Sequence, residues 1–188
     1  MKTKKLDLQS VRPIAADNDI RAVLVCPRGG HIVTMGFPGL AVGFDGTSYI
    51  DLEALNATLD DPSLSGSTLL IALAETLEFP DDHWRSLQDA LDQRGRRLDH
   101  MPIEDFSVPD AKFIEQWPDC SKEYHHILDR GGTIGITCHY GAGRSGTIAA
   151  HLMIERGIDP DDAIARVRNA FPDSIESRTQ FNWLQKHG

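Results

Sequence analysis

A cysteine and an arginine with five residues between them bracket a glycine-bearing run, Thr137-Cys138-His139-Tyr140-Gly141-Ala142-Gly143-Arg144-Ser145-Gly146. Ahead of it, Gly132-Thr133-Ile134-Gly135-Ile136 is short, β-branched and bounded by glycine, which predicts a buried strand. Behind it, Thr147 to Arg156 predicts a buried helix ended by Gly157. A strand, a loop and a helix N-terminus together make an anion site, because the loop amides converge and the helix dipole adds positive charge there. Gly141 and Gly143 can take the positive φ values that turn successive amides inward. Arg144 offers a planar fork for two oxygens of a phosphate. Cys138 lies beneath the anion, where the same amides would stabilise its thiolate. The chemistry implied is attack of sulfur on phosphorus, through a cysteinyl-phosphate.

This run resembles the C-x5-R loop of the protein tyrosine phosphatase superfamily, in the form C-x-x-G-x-G-R-[ST]-G of dual-specificity phosphatases. Cys138, Gly141, Gly143, Arg144, Ser145 and Gly146 fill every fixed position of that form. The residue before the cysteine, usually histidine, is Thr137 here. The resemblance extends from about Leu69 to the C-terminus and looks closest to cyclin-dependent kinase-associated and related dual-specificity-like phosphatases. It implies a nucleophilic Cys138 and a phosphate held by Arg144 and the loop residues His139, Tyr140, Gly141, Ala142 and Gly143. It implies a Ser145 hydroxyl that donates to the sulfur as the thiolate departs, and no cofactor or metal.

A departing alkoxide needs a proton, and a carboxylic acid on a facing loop supplies it. Pro102-Ile103-Glu104-Asp105-Phe106-Ser107-Val108-Pro109 is similar to the family's P-I-x-D-x-x-x-P, whose aspartate is the general acid, so the match selects Asp105. Glu104 is expected in solvent and Asp110 at a helix cap. Trp117-Pro118-Asp119 spells the acid tripeptide of the larger tyrosine-specific enzymes. It lies too close to Cys138 for a helix and a strand to intervene, and Pro118 is read instead as a kink or second helix start. Ile175-Glu176-Ser177-Arg178-Thr179-Gln180 resembles the family's final I-E-[ST]-x-x-Q motif, which brings Gln180 near the pocket to place water; a capping or structural role is nearly as well supported.

Gly141 to Gly146 also spells G-x-G-x-x-G, the dinucleotide fingerprint. That motif needs a following strand ending in an acidic residue, but Asp159-Pro160-Asp161-Asp162 opens a helix instead. His125 and His126 with Asp129 are the densest histidine group, yet they lack a zinc-binding spacing. Two other functions fit part of the pattern: a non-catalytic phosphate- or phosphopeptide-binding module on the same fold, and a sulfur-transfer or arsenate-reducing enzyme. The presence of Cys138, Arg144 and Asp105 together disfavours the first, and Asp105 and Gln180 are superfluous to the second.

The 188 residues suit one domain, with residues 1–65 as N-terminal elements of unassigned role and 66–188 as the phosphatase core. A net charge of −9 disfavours nucleic acid or an anionic membrane as the main partner. No apolar run reaches the ~18 residues of a membrane span, and the three cysteines, Cys26, Cys120 and Cys138, suit a reducing compartment, so a cytoplasmic location is expected. A regulatory disulfide from Cys26 to Cys138 is a minor alternative.

Strands are expected at Ala22–Cys26, Thr68–Leu73 and Arg97–Met101, with His31–Thr34 and Leu40–Phe44 as short hairpin strands in a glycine-rich segment, 28–46. That segment is a candidate wall of the site, and Arg28 a candidate substrate contact or plain surface cation. Helices are expected at Asp51–Leu59, Pro80–Arg94 and Ala163–Phe171, and from about Asp110 to Arg130. The alternation gives an α/β fold with a mixed, mostly parallel sheet of about five strands and helices on both faces.

Overall fold

A computed structural model describes residues 19–187. In chain order the elements are β1 (Ile20–Val25), β2 (His31–Met35), β3 (Leu40–Val42), β4 (Ser48–Ile50), α1 (Leu52–Leu59), β5 (Leu69–Ala72), α2 (Asp81–Asp92), β6 (Arg97–His100), α3 (Ala111–Asp129), β7 (Thr133–Thr137), α4 (Gly143–Glu155), α5 (Pro160–Ala170) and α6 (Arg178–Lys186). Short 3-10 turns occupy Pro62–Leu64 and Thr76–Glu78.

Five strands form one mixed sheet in the order β1-β2-β7-β5-β6, antiparallel only between β1 and β2. β5 and β7 are buried along their whole length, as apolar strands covered on both faces must be. Because strand side chains alternate, the sheet feeds two cores. Ile32, Leu69, Ile71, Ile134 and Ile136 point to one, with Ile148, Leu152, Val167 and Leu184 of the later helices. Val33, Met35 and Leu70 point to the other, closed by Leu55 and Leu59 of α1 and Leu87 and Leu91 of α2.

Aspartate side chains cap the starts of three helices, α1, α3 and α5. Asp51 accepts the Glu53 and Ala54 amides, Asp110 accepts that of Phe113, and Asp159 accepts that of Asp161 ahead of Pro160. Each such cap contributes about 0.5–2 kcal/mol.

Several expectations change. His31–Thr34 and Leu40–Phe44 do not pair with each other. β2 forms its hairpin with β1 and lies parallel to β7, whereas β3 pairs with β4 in a separate two-stranded sheet. Pro118 starts no second helix, because α3 runs through it from Ala111 to Asp129. In α1, Leu55 and Leu59 are buried at helical spacing while Leu52 is exposed. Arg28 sits in the β1–β2 turn at φ 64, at the end of the sheet where β7 begins. The candidate loop follows the other end of β7, so Arg28 is no substrate contact there.

Candidate active site

β7 ends in the middle of the sheet between β2 and β5, and the loop 138–142 turns from it directly into α4. Cys138 is buried at the loop's base, and the Gly141 amide donates to its Sγ at 3.2 Å. The loop therefore curls around its own sulfur. That curl puts Gly141 at φ 89 with its Cα against the backbone of Met35 and Gly36, where a Cβ would stand 2.6 Å from the Met35 carbonyl oxygen. Gly143 behaves otherwise than expected. It is the first residue of α4, without a positive φ, and its lack of a side chain makes room for the Glu176 carboxyl.

Thr137 replaces histidine with a different tether. Its hydroxyl donates to the Gly36 carbonyl at 2.8 Å and lies 3.3 Å from the Cys138 carbonyl, and the Phe37 amide donates to the His139 carbonyl at 3.1 Å. Residues 35–37 of the glycine-rich segment thus wall the loop. His139 is exposed and stacks 5.3 Å from the Phe79 ring. The half-exposed Tyr140 ring lies beneath the Arg21 guanidinium at 4.9 Å, and Arg21 Nε donates to the Tyr140 carbonyl at 3.0 Å. Ala142 is fully buried at the start of α4.

Arg144 is the second residue of α4, with 1% of its side chain exposed. It donates bidentately to Glu78, with Nη2 at 2.8 Å from Oε2 and Nη1 on Oε1. Nη1 also donates to the Ile103 carbonyl at 3.0 Å, and Nη2 lies 3.1 Å from Asp105 Oδ1. Burial alone would lower the guanidinium's pKa. The Glu78 hydrogen bonds and the charges of Cys138, Glu78 and Asp105 outweigh it, and the net shift is upward. Glu78 is the mirror image: burial pushes its carboxyl up, Arg144 pulls harder, and the net shift is downward.

Asp105 is half-exposed and accepts the Phe106 amide at 3.0 Å, with Phe106 at φ 56. Asp119 lies on α3, exposed and paired with Lys122 at 3.1 Å. The geometry therefore brings Asp105, and not Asp119, to Arg144. Glu104 is exposed, and Asp110 caps α3.

Ser145 sits in the first turn of α4, fully buried, and its hydroxyl has no hydrogen-bond partner among the described residues, sulfur included. Gln180 is also fully buried. Its Oε1 accepts the Ser177 amide at 3.2 Å, closing a capping box on α6, and its Nε2 donates to the Ser107 carbonyl at 3.2 Å. Its contacts are those of a cap and a tether to the Asp105 loop, not of a pocket-lining amide.

Sequence reasoning missed Glu78. Nothing in Ala74-Glu75-Thr76-Leu77-Glu78 marks it, save that a buried arginine needs a carboxylate from elsewhere. The three cysteines are free. His125 contacts Glu155 and Asp129 pairs with Arg156, and no group of three or more potential metal ligands occurs among the described residues.

With this geometry in view, known proteins supply the context. Mouse protein tyrosine phosphatase type IVA 3 is 29% identical over 133 residues, 71% of each chain. Tyrosine-protein phosphatase CDC14 of Candida albicans is 29% identical over 104 residues, 54% of this chain and 18% of that one. Among solved structures, kinase-associated phosphatase with its catalytic-site cysteine replaced by serine superposes with a TM-score of 0.67. It is 23% identical and covers 89% of this chain and 92% of that chain, which supports the shared fold. Residues 56–158, more than half the chain and including Glu78, Asp105, Cys138 and Arg144, match the family "Polymorphic toxin system, DSP-PTPase phosphatase". The chain belongs to that family and is a protein tyrosine/dual-specificity phosphatase.

Proposed function

We propose that this chain hydrolyses phosphomonoesters through a cysteinyl-phosphate, with phosphotyrosine or phosphoserine/threonine in proteins as substrates. In the first step Cys138 Sγ attacks phosphorus while the ester P–O bond breaks and Asp105 gives its proton to the leaving oxygen. Arg144 and the amides of residues 139–143 hold the three equatorial oxygens, where charge accumulates. In the second step water displaces the thiolate, its proton passing to the Asp105 carboxylate, while the Ser145 hydroxyl turns toward the sulfur. The observation that supports this most is the curl of the loop onto the sulfur, with a backbone N–H already aimed at Sγ and a buried guanidinium at the mouth.

On this reading the chain works as one domain, residues 66–188 supplying the chemistry and the earlier elements two strands and a wall. No helix among the described residues is long and apolar enough to cross a membrane. A cytoplasmic setting, and no nucleic-acid or membrane partner, complete the proposal.

Hydrolysis of an aryl phosphate by the purified chain tests it. Wild type should turn over and be inhibited by vanadate, and Cys138→Ser should be inactive. A wild-type protein that binds phosphate or phosphopeptide without turnover would establish a binding module instead.

A further inference from the structure

We propose that Glu176 holds the water that hydrolyses the cysteinyl-phosphate, a task the sequence motif would give to Gln180. The inference rests on the phosphatase reading above. Gln180 is unsuited to it. Both ends of its amide are engaged, Oε1 by Ser177 and Nε2 by Ser107, and the residue has no exposed surface from which to reach a water. Its place is beneath the loop that carries Asp105.

Glu176 stands where Gln180 does not. Its carboxyl lies against Gly143, the first residue of α4, with Cδ 2.6 Å from the position of a Cβ there. The segment that aims it is held in an unusual shape. Ile175 has φ 56, a region that β-branched residues rarely enter and that costs on the order of 1–3 kcal/mol. Arg168 clamps that turn by donating to the Ser174 carbonyl at 3.1 Å and the Ile175 carbonyl at 2.7 Å, and the Ile175 amide reaches the Ala142 carbonyl at 3.4 Å. Such strain persists where surrounding contacts enforce it, and here they direct residue 176 to the mouth of the loop.

Glu176 also feels the site's charges. Burial raises its pKa, the Asp105 carboxylate raises it further, and Arg144 opposes both. A cavity of about 560 Å3 opens beside Glu176, bounded also by Tyr140, Arg168, Pro172 and Asp173, and gives water an approach to Glu176. In the step itself the water oxygen bonds to phosphorus, the P–S bond breaks with its electron pair returning to Sγ, and one water proton passes to Asp105. Glu176 accepts the hydrogen bond of the other O–H and keeps its own protonation state.

Rapid-quench kinetics with an aryl phosphate, reading phenol release and acid-trapped phosphoenzyme, separates the two steps. Glu176→Ala should form phosphoenzyme at a wild-type rate within about twofold, then turn over roughly 10–100-fold more slowly, giving a burst near one equivalent per site. Glu176→Met, which refills the space on Gly143 but accepts no hydrogen bond, should behave the same, and Glu176→Gln should regain most of the turnover. Gln180→Ala should slow the first turnover and show no burst, since it loosens the Asp105 loop. The proposal is overturned if Glu176→Met behaves as wild type, if Glu176→Ala slows both steps equally, or if Gln180→Ala is the variant that accumulates phosphoenzyme. Failure of the phosphatase reading looks different: wild type itself would give neither turnover nor phosphoenzyme.

Discussion

Arg144 carries a full charge at 1% side-chain exposure, and Glu78 is the partner that makes this tolerable. Removing one member of a buried ion pair costs about 3–5 kcal/mol, because the other charge is left without water or counterion. Glu78 keeps 17% of its side chain in solvent, and Asp105 and the Ile103 carbonyl remain on the guanidinium, so Glu78→Gln should cost less, about 2 kcal/mol. The pH dependence has a definite sign. A carboxyl whose folded pKa is depressed contributes stability above its ordinary value of 4.5, and that contribution disappears as pH falls through the folded value. Urea titrations of wild type and Glu78→Gln should therefore differ at pH 7 and converge on acidification below 4.5. At the other end of Arg144, Asp105→Ala should lower kcat on a phosphoserine substrate by about 10²–10⁴. Asp119→Ala, on the outer face of α3, should leave kcat within about twofold; the reverse order would identify the wrong acid. Asp105 stands out in the sequence through the resemblance of its segment to the family's P-I-x-D-x-x-x-P, whereas its approach to Arg144 is visible only in the fold. Glu78 is not legible, because nothing local distinguishes it from neighbouring surface carboxylates until the fold brings it to Arg144.

Elements were legible where burial is two-sided and obscure where pairing is a matter of tertiary choice. β5 announces itself as an unbroken apolar run, β7 as a β-branched stretch bounded by glycine, and α5 by the Asp159-Pro160 start. β4, Ser48–Ile50, is largely exposed and too short to carry a pattern, so in the sequence β3 has no visible mate except the neighbouring β2. What sequence cannot show is that the end of β2 props the candidate loop. Two substitutions test that prop. Thr137→Val keeps the shape and removes the hydroxyl that reaches the Gly36 carbonyl, and should destabilise by about 1–2 kcal/mol in urea while lowering kcat. Gly141→Ala forces a side chain into the Met35–Gly36 backbone at φ 89, so the amide can no longer point at Sγ. Calorimetric titration with inorganic phosphate or vanadate should then detect no binding, in a chain whose far-ultraviolet circular dichroism is unchanged.

At the scale of the whole molecule, α4 is the joint between chemistry and stability. From Gly143 to Ile154 every residue of this helix is buried, and it packs against β2, β7, α5 and α6. A helix so enclosed moves only if the sheet and the helices around it move with it. Its N-terminus carries Arg144 and borders the loop, so the anion site is complete only in the folded chain. An anion that binds the native state alone shifts the folding equilibrium by mass action, by about 2.7 kcal/mol at a hundredfold excess over Kd. For a chain of this size each kcal/mol raises the melting temperature by about 2–4 °C. Saturating vanadate should therefore raise Tm by roughly 5–10 °C in wild type. Arg144→Lys keeps a positive charge but loses the planar fork, and should lose most of that rise. An equal rise in Arg144→Lys, read by differential scanning calorimetry, would show that the anion is held somewhere other than the N-terminus of α4.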